Sequence, residues 1–204
     1  MASRSVSNIV CSVHFTLCVN NDKNVVSFGK SDKGAHGHKE SVVFPPKIIS
    51  SLKNIISISV GGYHCVCLDH DGNVFTFGSN NRGQLGIDVD YSAVHATHVP
   101  HKVHLPPCKQ VCSANLTTMC LTETGEVYSF GSNWRGLGER EMPKNEITKH
   151  PTLSNIMDSS TGGLQTFVKT FENEIYAFGK NSHSQLGIKT TFLKRTTPIR
   201  VFEG

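Results

Sequence analysis

At 204 residues, with 37% hydrophobic and 18% charged residues, the chain is long enough to enclose a core and has the balance of a single globular domain, residues 1–204. The formal net charge of +4 comes from 20 Lys and Arg against 16 Asp and Glu scattered along the chain, which argues against nucleic acid as a partner, and no apolar run reaches the length of a membrane span. The opening Met1-Ala2-Ser3-Arg4-Ser5-Val6 has no long apolar stretch of the kind a secretory leader needs, so a cytoplasmic or nuclear location is expected, with the seven cysteines reduced and acting as small apolar residues.

In chain order, one unit of about 50 residues is written four times, over approximately 7–49, 50–103, 104–152 and 153–204. The first copy runs from the apolar stretch Ile9 to Cys18 through Ser27-Phe28-Gly29-Lys30-Ser31 and Lys33-Gly34-Ala35-His36-Gly37 to Pro45-Pro46-Lys47-Ile48. The second is the fullest: a β-branched run from Ile55 to Val60, Gly61-Gly62-Tyr63-His64, an apolar run from Cys65 to Leu68, Asp71-Gly72, Val74-Phe75-Thr76-Phe77-Gly78, and Gly83-Gln84-Leu85-Gly86. In the third copy Phe130-Gly131 leads into Trp134-Arg135-Gly136-Leu137-Gly138, without the glutamine. The fourth has Gly162-Gly163, Phe178-Gly179 and Gln185-Leu186-Gly187, and the chain stops at Pro198-Ile199-Arg200-Val201, which matches the opening strand of a next unit, as Pro45-Pro46-Lys47-Ile48 does earlier.

Short β-branched and aromatic runs with turn residues every 8 to 12 positions or so predict an all-β chain, each unit folded back on itself as antiparallel strands. Asp71-Gly72, Thr124-Gly125 and Asn173-Glu174 supply the turn chemistry of tight hairpins. In each Phe-Gly pair the ring fills the space between sheets and the glycine lets a second backbone approach. Leu85, bracketed by glycines, is expected to plug the core. A lone sheet of this kind buries one face, so neighbouring units must stack.

These residues resemble the regulator of chromosome condensation repeat family, with Phe77 where the family usually has tryptophan. The resemblance covers nearly the whole chain and implies a partial β-propeller of about four antiparallel four-stranded blades. Family propellers close with seven blades, so an open arc is expected, with three alternatives: a fragment of a longer propeller, two copies that complete one another, or a smaller four-bladed ring. Open blade ends make self-association one expectation.

Repeat loops at equivalent positions gather on one face. His14, His64, Thr117 and Gln165, with the preceding Val13, Tyr63, Leu116 and Leu164, are therefore the candidate binding residues. Alternatively, the histidine or its substitute hydrogen-bonds the next blade. The resemblance implies a non-catalytic module that binds a protein, a small GTPase or a ubiquitin or signalling component. It also implies an alternative, nucleotide exchange on a Ran-type GTPase, but the family's exchange factor uses acidic loop residues where this chain has Tyr63, Leu116 and Leu164. No Gly-x-Ser-x-Gly, phosphate loop or His-Glu-x-x-His occurs, so no catalytic residue or cofactor is expected.

His95, His98, His101 and His104 recur every third residue, and an extended three-per-turn segment would align their imidazoles. No paired Cys-x-x-Cys accompanies them, and Pro100, Val103, Leu105 and Pro106 fit the family's linker, so no metal is expected. Asn115-Leu116-Thr117 fits the glycosylation triplet by accident.

Overall fold

The computed structural model describes residues 6–87, 94–132, 146–189 and 194–202. Every regular element in them is a strand. The first blade holds β1 (Val6–Cys11), β2 (Phe15–Asn20), β3 (Val25–Lys30) and β4 (Val42–Ile48). The second holds β5 (Ile55–Val60), β6 (His64–Asp69), β7 (Val74–Ser79) and β8 (Ala96–Val103). The third holds β9 (Cys108–Ala114), β10 (Thr117–Thr122), β11 (Val127–Gly131) and the short β12 (Thr148–Lys149). The fourth holds β13 (Ile156–Thr161), β14 (Gln165–Thr170), β15 (Ile175–Lys180) and β16 (Lys194–Phe202). Each blade is a four-stranded sheet in which consecutive strands pair, all of them antiparallel. This is the all-β, blade-by-blade architecture of a partial propeller.

Register repeats with the sequence. Phe28, Phe77, Phe130 and Phe178 lie opposite Thr16, Cys65, Thr118 and Thr166. The glycine after each ring is sterically obligatory. At Gly78, with φ of 108°, a Cβ would sit 2.5 Å from the Tyr63 carbonyl oxygen, and at Gly131 it would collide with the carbonyl of Leu116. The hairpins differ from expectation in one respect. Only Gly72 of the Asp71-Gly72 pair has positive φ, at 80°. The Asp69 carboxylate accepts the Asp71 and Asn73 N–H groups at 3.0 and 2.8 Å, and Gly72 N–H reaches Asp69 C=O at 3.2 Å. An aspartate side chain therefore shapes a five-residue loop in which a single left-handed residue suffices.

That left-handed residue also joins the blades. Lys23, Gly72 and Gly125, with φ of 60°, 80° and 82°, turn their carbonyls to the next blade, where Ile55, Cys108 and Ile156 N–H donate at 3.0, 2.9 and 3.1 Å. Asn173, with φ of 65°, holds the same place in the fourth blade.

The core lies between blades. Phe77 packs with Phe15, Leu17, Val19 and Val25 of the first blade, Phe130 with Val66, Leu68 and Val74 of the second, and Phe178 with Met119, Leu121 and Val127 of the third. Each ring thus reaches back to the preceding blade. Phe28, which has no blade before it among the described residues, is only half-buried. Leu85 is fully buried as expected, and so is Leu186 in the fourth blade. In the first blade His36 takes Leu85's place: Ser27 Oγ donates to its carbonyl at 2.6 Å, as Thr76 Oγ1 donates to that of Leu85 at 2.6 Å. The third-copy turn, Trp134 to Gly138, lies outside the described residues.

The histidine series does not align. Ala96–Val103 is a β-strand in which Thr97 and His101 face Gly78 and Thr76. Only His98 and His101 of the four lie within this strand, and its pairing register shifts between Thr76 and Gly78, so the four histidines do not form one regular three-per-turn segment.

Candidate functional site

In an antiparallel blade the β1–β2 type of loop and the turn after the third strand come to the same end, opposite the hairpins. At that end Val13 is 84% and Tyr63 59% exposed, and His14 is exposed beside them. Further along, Arg82, Ala114, Asn115, Leu116, Thr117, Ser132 and Gly163 line a cavity of about 230 Å³ that spans three blades. A shallower groove beside it is lined by Thr117, Gly163, Leu164 and Gln165. Leu116, Thr117, Leu164 and Gln165 are thus brought together. Val13, His14 and Tyr63 stand on neighbouring loops outside the cavity lining.

His64 is inside the protein. Its Nε2 lies 3.0 Å from Thr118 Oγ1 of the next blade, and that hydroxyl donates to the Gln84 carbonyl at 2.8 Å, so Nε2 carries the proton. Burial lowers its pKa to about 4, partly opposed by the backbone of Thr117 and Asn115. The neutral ring is an inter-blade brace, and the face it supports is presented by Tyr63 and by Gly62, whose N–H bonds Asn115 C=O at 2.8 Å. Thr117 instead turns its hydroxyl to the Ser132 carbonyl at 2.8 Å.

Arg82, Asn115 and Gly163 line the cavity but were not among the candidate binding residues. Arg82 follows Asn80-Asn81 in the turn before Gly83, and only the packing of the second blade on the third brings it to the cavity. Asn115 carries a sequence-visible signal, an asparagine at a strand-to-strand turn, where it takes a φ of 48°.

All seven cysteines are free thiols, and burial pushes Cys65, Cys67 and Cys112 up, Cys112 to about 11. Among the described residues no group of three or more His, Cys, Asp or Glu is placed to hold a metal ion. No helix among them is long and apolar enough to cross a membrane.

Residues 55–84 and 71–121 match the family described as "Regulator of chromosome condensation (RCC1) repeat". The chain is 29% identical over 201 residues to the human "Probable E3 ubiquitin-protein ligase HERC6", covering 93% of this chain and 20% of that protein. It is 32% identical over 200 residues to the Mus musculus "Regulator of chromosome condensation", covering 86% of this chain and 47% of the relative. Among solved structures, Saccharomyces cerevisiae Prp20p, studied with its binding to Gsp1p and histones, superposes with a TM-score of 0.84 at 16% identity over 100% of this chain and 52% of its own. Human WBSCR16 gives 0.85 at 20% identity over 98% and 54%. The chain therefore spans less than half the length of these two curated relatives and about half of the two solved chains.

Proposed function

The chain belongs to the regulator of chromosome condensation repeat family, and on that footing we propose that it is a non-catalytic protein-binding module whose loop end receives a small GTPase or a component of ubiquitin signalling, in the cytoplasm or nucleus. The observation that carries this reading is the three-blade cavity lined by Arg82, Leu116, Thr117 and Gly163, with exposed Tyr63 on the adjoining loop. Blades stacked through continuous cores hold such loops rigidly, so little ordering entropy opposes binding. The partner classes are supported by relatives: Prp20p is described with Gsp1p and histones, and HERC6 is named a ubiquitin-protein ligase.

Binding of the chain to a Ran-type GTPase and to ubiquitin, measured by surface plasmon resonance, tests this. Tyr63→Ala with Leu164→Ala is expected to weaken the bound partner about tenfold or more. Equal binding by the parent and the double variant would show that the surface is misassigned.

Guanine-nucleotide exchange on a Ran-type GTPase is the second reading, favoured by the similarity to the murine regulator of chromosome condensation. Exchange requires tighter binding to the nucleotide-free GTPase than to the loaded form. Tyr63, Leu116 and Leu164 offer no acid for that. Fluorescent nucleotide release well above the intrinsic rate would make exchange the primary reading.

A further inference from the structure

The first blade departs from the second and fourth at the turn after its third strand, where Lys33-Gly34-Ala35-His36-Gly37 stands in place of a Gln-Leu-Gly turn. That turn packs closely on the second blade. A Cβ at Gly34, with φ of 71°, would sit 2.8 Å from the Cα of His98 in β8. Between the two blades lies a cavity of about 210 Å³ lined by Asp32, Lys33, His38, Lys39, Thr97 and His98. It shares no lining residue with the three-blade cavity.

Two histidines brace the first-blade wall. His38 N–H donates to His36 Nδ1 at 3.3 Å, and His36 Nε2–H donates to the Ser41 carbonyl at 3.3 Å. Ser27 Oγ is already committed to the His36 carbonyl, so His38 Nε2, 3.0 Å away, donates to that hydroxyl oxygen. Burial lowers the pKa of both rings, which keeps them neutral at pH 7. The backbone on either side of Lys39 is thus set before a ligand arrives, which spares ordering entropy.

The charges around the cavity do not cancel. Asp32 lies 3.6 Å from Lys30 Nζ, and Glu40 accepts from Lys47 Nζ at 2.7 Å. Among the described residues no carboxylate pairs with Lys33 or Lys39. Two ammonium groups therefore line one cavity with no anion of their own, and Ser41 and His98 add a hydroxyl and an imidazole to its wall.

We infer that this cavity receives the phosphate of a phosphoserine or phosphothreonine in an extended segment of a protein partner. A phosphomonoester carries about −1.5 to −2 charges at pH 7, which two lysines neutralise, whereas a carboxylate carries one. Nucleic acid presents a row of phosphates and calls for a row of cations. Here the neighbouring Lys30 and Lys47 are engaged by Asp32 and Glu40. The bearer is a peptide because β8 is the outer strand of its blade, paired with β7 on one side, and its open edge begins at the cavity, where Ala96, Thr97 and His98 line the wall. An extended chain can lie along such an edge.

Fluorescence anisotropy of a labelled peptide, one phosphoserine among alanines and valines, tests the site on the 204-residue chain. The phosphopeptide is expected to bind about tenfold or more tighter than its serine counterpart. Lys33→Gln with Lys39→Gln should remove that advantage, and Lys53→Gln, just before β5 at the hairpin end, should leave it intact. Equal binding of the two peptides, or no loss in the double variant with the parent's β-sheet circular dichroism, overturns the inference. Inorganic phosphate that binds as tightly as the phosphopeptide would assign the cavity to a free anion, and a single-stranded oligonucleotide that binds more tightly would assign it to nucleic acid. Either result overturns the peptide reading. Tyr63→Ala with Leu164→Ala should bind the phosphopeptide as the parent does, so this site and the loop-end partner surface stand or fall separately.

Discussion

Four phenylalanines in the same sequence setting have unequal value. Phe77, Phe130 and Phe178 are wholly buried against a preceding blade, whereas Phe28 keeps one side in solvent. Removing a fully enclosed ring forfeits its transfer energy and leaves a cavity, so Phe77→Ala is expected to cost about 3–5 kcal/mol, and Phe28→Ala about 1–2 kcal/mol in dilute solution. Urea denaturation of the two variants checks the difference, and equal losses would contradict it. Histidine burial gives a second residue-scale consequence. His64 and His150 are both held near a pKa of about 4 by burial, against 6.5 for the free side chain, and His150 Nε2 lies 2.8 Å from Ser129 Oγ. The unfolded chain binds more protons between these values. The stability tied to neutral rings is therefore complete above about pH 6.5 and is lost as pH falls toward 4, by about 3 kcal/mol per histidine across the window. Urea midpoints at pH 7 and pH 5 should differ accordingly, and His64→Gln should reduce the difference.

At the level of elements, the strands of a blade are unequally protected. β6 is buried at all six positions, and its neighbours β5 and β7 satisfy its backbone on both sides. β4 has six exposed positions among seven, and the described part of β12 is two residues long. Amide exchange requires the hydrogen bond to open, so β6 and β10 should exchange slowest, at rates set by global unfolding. β4 and β12 should exchange faster through local fraying. Uniform protection across a blade would mean that each blade opens only as a whole. The hairpins show how little local sequence is needed: one left-handed residue, set by Asp69 in the second blade, fixes both the turn and a carbonyl for the next blade. The second element of the design, the Phe-Gly pair, was legible because only glycine fits where a neighbouring carbonyl stands 2.5 Å from the would-be Cβ at Gly78.

Across the whole molecule, stability is a chain of nearest-neighbour interfaces, because each core cluster draws on two adjacent blades. The loop end lies apart from these interfaces, so substitutions there should leave the inter-blade cores intact. By itself the sequence determined the fourfold unit, the antiparallel strands, their turns and the loops that share an end, since these depend on periodicity and steric rules acting over a few residues. Only the tertiary structure decided that His64 braces the next blade while Tyr63 meets solvent, that His36 occupies a leucine's place, that Arg82 joins Leu116 and Gly163 around one cavity, and that Phe28 differs from its three counterparts. Burial is set by atoms about 50 residues away on an adjacent blade, and no local pattern encodes which copy has such a neighbour.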